Sequence, residues 1–271
     1  MRPRGVVLAD LLVAGFLTVV LVALALGSLT ALQRAAQQQV EHTARHQSLL
    51  TSAHMIRAEL GGLSPRSGDL AQIGPEVLQY RATRATGWVC GRTSDGLLLA
   101  SGLLRALRLP VSGRDSALLL VPAGDSVGWV AQPVIAPPRT GTCPSDGAQA
   151  LVVPIPAGTL DAAVIPGPLL VFEVMELRAY RSGTDWWLGL RSVSSGETIQ
   201  PVTGPFTAAG VLFRFLDEAG AEVTDPSQVR RIAVFLRGPA SRSQGIGSGA
   251  RAFQTGLADS LAFEVILRGD P

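Results

Sequence analysis

The chain has 271 residues, 23 basic against 21 acidic, with 47% hydrophobic, 5% aromatic and 16% charged side chains. The apolar content excludes an intrinsically disordered chain, the length fits one large domain or two small ones, and a net charge of +2 leaves no electrostatic footprint for nucleic acid. All 23 cations are Arg, with no Lys and no Asn, which rules out Schiff-base and phosphate-loop lysine chemistry and removes every N-glycosylation acceptor.

The first element is an apolar helix. From Val6 to Leu32 the only charge is Asp10, and Leu11 to Leu26 is apolar apart from Thr18. About 20 such residues cross the hydrocarbon core of a bilayer at 1.5 Å per residue, so residues 6–32 are expected to span a membrane. Arg2 and Arg4 precede the span and only Arg34 follows closely, which places the N-terminus in the cytoplasm. A cleaved secretory signal fits poorly, because the apolar run passes without a small-residue cleavage site into Leu29 to Gln39. A plain anchor leaves Asp10 unexplained, since a carboxylate at the membrane edge of an apolar helix is costly without a partner.

The stretch Met1-Arg2-Pro3-Arg4-Gly5-Val6-Val7-Leu8-Ala9-Asp10-Leu11-Leu12-Val13-Ala14 resembles the prepilin signature of type IV pilins and type II secretion pseudopilins. In that family a short basic leader ends in Gly, the mature chain starts on an apolar residue, and its fifth residue is an acid. The resemblance implies that Gly5 ends a leader of residues 1–5, that Val6 becomes the N-methylated amino terminus after prepilin peptidase cleavage, and that Asp10 is the assembly acid. The family most often carries Phe at the place of Val6 and Glu at that of Asp10. Elementary electrostatics points the same way: cleavage creates an ammonium inside the membrane, and a carboxylate one turn along neutralises it in its own chain or in a neighbour. Pairing avoids a penalty of several kcal/mol per ion, by the usual estimate.

Beyond the span the helix is expected to continue. Residues 32–60 contain no Pro or Gly, and Val40, Leu49, Ala53, Ile56 and Leu60 form a partial apolar stripe that Gly61-Gly62 ends. Residues 6–60 therefore read as one long helix, half in lipid and half packed on a head of residues 61–271. His42 and His46 are spaced i, i+4, but no third ligand accompanies them. They and His54 read as solvated residues on a helix face, and no metal or cofactor is expected.

The head reads as strands joined by Gly and Pro turns. Predicted strands are Val77 to Cys90, Leu97 to Ala100, Ala117 to Val121, Gly128 to Ile135, Ala150 to Ile155, Leu169 to Arg181, Trp186 to Val193, Val211 to Leu216, Val229 to Leu236 and Leu261 to Leu267. The last alternates cleanly, with Leu261, Phe263, Val265 and Leu267 on one face, and Arg181 to Asp185 reads as a hairpin connection. Val211 to Gly220 followed by Val229 to Arg237 resembles the C-terminal strands of W-type minor pilins and of the J-type minor pseudopilin, as does the first-strand segment Val77 to Cys90. Cys90 and Cys143 lie about 53 residues apart in the part expected outside the cytoplasm. They are read either as a disulfide, worth around 4 kcal/mol by chain entropy, or as two free thiols.

Catalytic patterns are scarce. Gly245 to Gly249 lacks the strand-to-helix turn of a phosphate cradle and reads as a loop, and Ser248 has no nucleophile-elbow frame. Glu173 and Glu176 read as surface acids on a strand, and Trp186-Trp187 as one buried and one exposed ring. The expected fold is α+β, a pilin-like long helix followed by an antiparallel sheet head. The expected function is that of a minor pilin or pseudopilin, not an enzyme. It is embedded in the bacterial inner membrane as a single-pass protein with an extracytoplasmic head, then joins a type IV pilus or secretion pseudopilus near its tip. Its partners are prepilin peptidase, other minor subunits, the major subunit and membrane lipid. The alternative from another class is a binding module tethered by an uncleaved helix.

Overall fold

The computed structural model describes residues 4–65, 68–239 and 259–268, with side chains from residue 10 onward. One helix, α1 (Arg4–Leu60), runs for 57 residues, about 85 Å at the standard rise. It begins two residues before the predicted start and ends where predicted. Gly61 donates to the Arg57 carbonyl at 2.9 Å and Leu63 to that of Leu60 at 3.1 Å, closing the last turn. Arg57 sits in that turn, where a cation suits the carbonyl ends.

The chain forms two compact units, and the division falls inside α1, between Ser48 and Leu49. In the first unit the apolar side chains are exposed along the helix, with Leu11 at 69%, Leu21 at 66% and Leu32 at 68%. Polar groups there are satisfied locally: Thr18 donates to the Ala14 carbonyl at 2.8 Å, Ser28 to Leu24 at 2.9 Å and Thr30 to Gly27 at 2.9 Å. The segment thus offers apolar side chains and internally bonded hydroxyls, as an element solvated by hydrocarbon must. It is a helix long and apolar enough to cross a membrane. In the second unit Leu49, Ala53, Ile56 and Leu60 are buried, an i, i+4, i+7, i+11 stripe. Val40 does not belong to it; at 68% exposure it lies two and a half turns before the first buried position, on the stretch of helix where no side chain is covered.

The head is antiparallel throughout. Its first strands are β1 (Leu70–Gly74), β2 (Val77–Arg92), β3 (Gly96–Ala100), β4 (Arg105–Ala106), β5 (Ser116–Ala123), β6 (Ser126–Pro133), β7 (Arg139–Thr142) and β8 (Gln149–Pro154). After a single helical turn, α2 (Ala157–Leu160), come β9 (Gly167–Ser182), β10 (Asp185–Ser192), β11 (Gln200–Phe206), β12 (Val211–Leu216), β13 (Arg231–Arg237) and β14 (Ser260–Ile266). The large sheet is organised around β2 and β9, which pair from Val77↔Arg178 to Val89↔Gly167. Outside β9 lie β10 against its second half and β5 against its first; outside β2 lie β1, then β4, then β3, β8 and β7. Strands β12, β13 and β14 make a separate three-stranded sheet.

This central pair serves two cores. The first unites Leu49 to Leu60 of α1 with Leu78, Tyr80, Met175 and Leu177, and with Phe213, Ile232, Val234 and Val265 of the small sheet. The second gathers Ala85, Val89, Leu97, Leu99, Leu119, Val153, Leu169 and Val171. Along β2 the buried positions change from even (Leu78, Tyr80, Ala82) to odd (Ala85, Val89). A bulge makes the change: Thr83 pairs Phe172, Ala85 pairs Val171, and Arg84 is the extra residue.

All ten predicted strands form, within three residues at their ends. Leu261 is partly buried and Phe263, Val265 and Leu267 are buried, so the predicted inward face of β14 is the inward one. The hairpin between β9 and β10 turns on Gly183 at φ 64°. Strands β1, β4, β7 and β11 were outside the sequence expectation, because they are short or carry Arg, Gly and Pro in place of alternating apolar residues. Strand β11 holds Pro201 and Pro205 and lies at the sheet edge, a position where missing donors are harmless.

Candidate functional site

The N-terminal constellation lies on one helix. Gly5 and Val6 belong to the α1 backbone, and Asp10 is one helical turn beyond Val6, exposed. Met1 to Pro3 lie outside the described residues, as does the Gly245 to Gly249 segment with Ser248. His42, His46 and His54 are exposed along α1.

In the head, Cys90 of β2 is bonded to Cys143, with Cα atoms 5.6 Å apart. Cys143 follows β7 and is buried with Leu98, Ala150 and Val152, so the bond ties the outer strands to the central one.

Glu173 and Glu176 are not surface acids. They are 0% and 3% exposed, on opposite faces of β9. Glu173 shares the phase of Leu169, Val171, Met175 and Leu177, and stands at the junction of the two cores. Arg84, the bulge residue, donates to it at 2.9 Å; Arg108 does so at 3.0 Å, and Arg114 also donates. Arg108 spans to Asp115 at 2.7 Å, Arg114 to Glu197 at 3.0 Å, and the Val111 amide donates to Asp115 at 2.7 Å. Burial pushes the Glu173 carboxyl up, but hydrogen bonds from Ser192 and the three guanidinium groups outweigh it and bring it down to about 2. On the other face Glu176 accepts from Arg191 through two nitrogens at 3.0 Å and from Gln79 at 2.8 Å. Burial opposes ionisation there too, and these donors hold it below the ordinary carboxylate value.

These carboxylates are saturated by guanidinium and amide donors, so they join strands and loops. A third such link is Tyr80, fully buried, whose hydroxyl donates to Glu59 of α1 at 2.9 Å. Burial and the Glu59 charge together push that phenol well above its ordinary value.

The two neighbouring tryptophans differ from expectation as well. Trp186 and Trp187 are both half-buried, because each face of β10 is covered. Trp186 packs on the first core, and the ring of Trp187 lies against Gly204 of β11, where a Cβ would come within 2.9 Å of it.

The sequence carried one overlooked signal for the Glu173 cluster: an acid in the inward phase of an apolar strand. Arg108, Arg114 and Asp115 have none, since they come from an irregular loop. The chain matches no known protein-family model, and its comparison with curated proteins and with solved structures returns no match. The architecture itself is plain: a long apolar N-terminal helix that continues into an antiparallel sheet head, α+β in class and compatible with a pilin-like arrangement.

Proposed function

We propose that the protein is a minor pilin or pseudopilin subunit, processed after Gly5 and assembled through its N-terminal helix into a type IV pilus or a type II secretion pseudopilus. The observation that carries this reading is one acid, Asp10, four residues after the proposed new terminus in a 57-residue helix that enters the head without a break. Its apolar side chains are uncovered and its hydroxyls internally bonded, so lipid and the apolar helices of neighbouring subunits are equivalent surroundings for it. Moving from one to the other costs little, and the pairing of Asp10 with a neighbour's ammonium sets the register. A head of this size favours a place near the filament tip, where it does not crowd a regular shaft. The Cys90–Cys143 bond fits an extracytoplasmic head, and the leader arginines fit a cytoplasmic N-terminus.

The mass of the mature N-terminus in native membranes tests the reading. Loss of Met1 to Gly5 with one methyl group on Val6 is the expected result. An intact Met1 would refute it and leave the tethered binding module.

A further inference from the structure

The stretch between β3 and β5 has an inverted side-chain pattern. From Leu103 to Val111 every second residue is exposed, and four of those five are apolar: Leu103 at 60%, Leu107 at 81%, Leu109 at 59% and Val111 at 44%, with Arg105 among them. Of the residues between, Leu104 packs on the second core, Arg108 reaches Glu173 at 3.0 Å and Asp115 at 2.7 Å, and Pro110 is buried. The backbone is pinned along the way. Strand β4 pairs β2 at Ala85 and Thr86, the Leu107 amide donates to the Arg84 carbonyl at 2.9 Å, and the Val111 amide donates to Asp115 at 2.7 Å. An extended segment beside a sheet ordinarily turns apolar residues inward and cations outward; here carboxylates hold the inward cation and the leucines stand in water.

Three properties of the segment select its occupant. The first is charge. It contains no acid, the carboxylates that flank it, Asp95 and Asp115, are engaged by Arg139 and Arg108, and Arg105 forms no ion pair among the described residues. Its outward side is therefore apolar and positive. The second is composition. Leu and Val are poor anchors of protein interfaces, whose binding energy sits on Trp, Tyr and Arg in fitted pockets, whereas a lipid boundary takes apolar area of any shape together with positive charge. The third is size. Four such side chains offer on the order of 400 Å² of apolar surface, about half the roughly 800 Å² per partner of a stable protein complex. A contact of that size holds when the partner is already at hand, and a head joined to a membrane-spanning helix is confined beside lipid.

We propose that residues 103–111 make a membrane contact of their own: Leu103, Leu107, Leu109 and Val111 enter the headgroup boundary of the bilayer that holds α1, and Arg105 pairs with the phosphate of anionic lipid. The contact rests on α1 spanning that bilayer and is the same whether the helix is cut at Gly5 or kept whole. Because the Glu173 cluster and β2 already fix the segment, it meets lipid without having to be ordered first.

The full chain, reconstituted at a dilution that leaves single copies in their vesicles, tests this in phosphatidylcholine with and without phosphatidylglycerol. An environment-sensitive fluorophore is attached at Leu107→Cys, or at Ala219→Cys as the control; the native cysteines are bonded to each other and do not compete for the label. With phosphatidylglycerol present, the fluorophore at 107 is expected to be at least roughly threefold brighter than at 219, and to be quenched by nitroxide lipids labelled near the headgroup. The gain falls severalfold in phosphatidylcholine alone. Leu109→Asp removes it, and Arg105→Glu, a reversal of charge, lowers the ratio of docked to free heads at least roughly tenfold. Both positions are exposed, so the fold is kept, as persistence of the Cys90–Cys143 bond and protease resistance would report. Equal brightness at the two positions in chains that resist alkaline extraction, indifference to lipid charge and to both variants, or a gain seen only in native membranes, where other proteins are present, would overturn the proposal. A chain released by alkaline extraction would instead refute the spanning helix, and the docking with it.

Discussion

Glu173 has no exposed surface, yet three guanidinium groups and Ser192 keep it ionised. Its position is costly only if those donors are lost, because breaking a buried pair leaves charge behind. Glu173→Gln is expected to destabilise the head by about 3–5 kcal/mol, read as a lower denaturant midpoint. The pH dependence has a definite sign. A carboxyl brought from 4.5 to about 2 on folding contributes stability that is complete above the unfolded value and is lost as pH falls through the native one. On the order of 3 kcal/mol should therefore disappear between pH 4.5 and 2, and Glu173→Gln should flatten that part of the profile. An unchanged acid limb in the variant would show that another group sets it.

Among the elements, β2 and β9 carry the architecture, and the bulge at Arg84 lets one strand pair serve two cores. Without the extra residue, either Leu78 and Tyr80 or Ala85 and Val89 would turn to the wrong face, since side chains alternate with period two. Deleting Arg84 removes both the phase change and one of the Glu173 donors. The expected outcome is a chain that fails to reach the native head, seen as rapid proteolysis. Arg84→Ala keeps the bulge and should fold with a lower midpoint. Equal stability of the deletion and the substitution would count against the phase argument. Strand propensity made β2 legible in the sequence, but the bulge was not, because Arg84 lies within an unremarkable run of Ala, Thr and Arg. Its place is set by what β9 presents opposite.

At the scale of the molecule, the disulfide closes a loop of 53 residues, and its loss is expected to cost about 4 kcal/mol on the chain-entropy model. Cys90→Ser with Cys143→Ser should lower the thermal midpoint of the head without altering N-terminal processing, checked by melting and by mass. The assembly role proposed for Asp10 is tested apart from the fold. Asp10→Ala should still be cleaved after Gly5 but fail to enter filaments, and unchanged incorporation would show that the helix packs without that charge pair.

The sequence by itself determined the long helix, its apolar half, the placement of Asp10 and ten of the strands. These follow from local causes: rise per residue, unbroken apolar runs, alternation, and the Gly61-Gly62 stop. It also brought Cys90 and Cys143 into view as a pair without deciding their bond. Tertiary structure alone decided which distant strands meet, and hence everything that depends on neighbours. Glu173 and Glu176 became buried because β2, β10 and the loop bearing Arg108 and Arg114 close over them. Leu107 and Leu109 stand outward because Arg108 between them is drawn inward to Glu173 of β9. The physical reason is common to both: burial and charge pairing belong to contacts between residues far apart in the chain, and no local pattern encodes which strand will stand alongside.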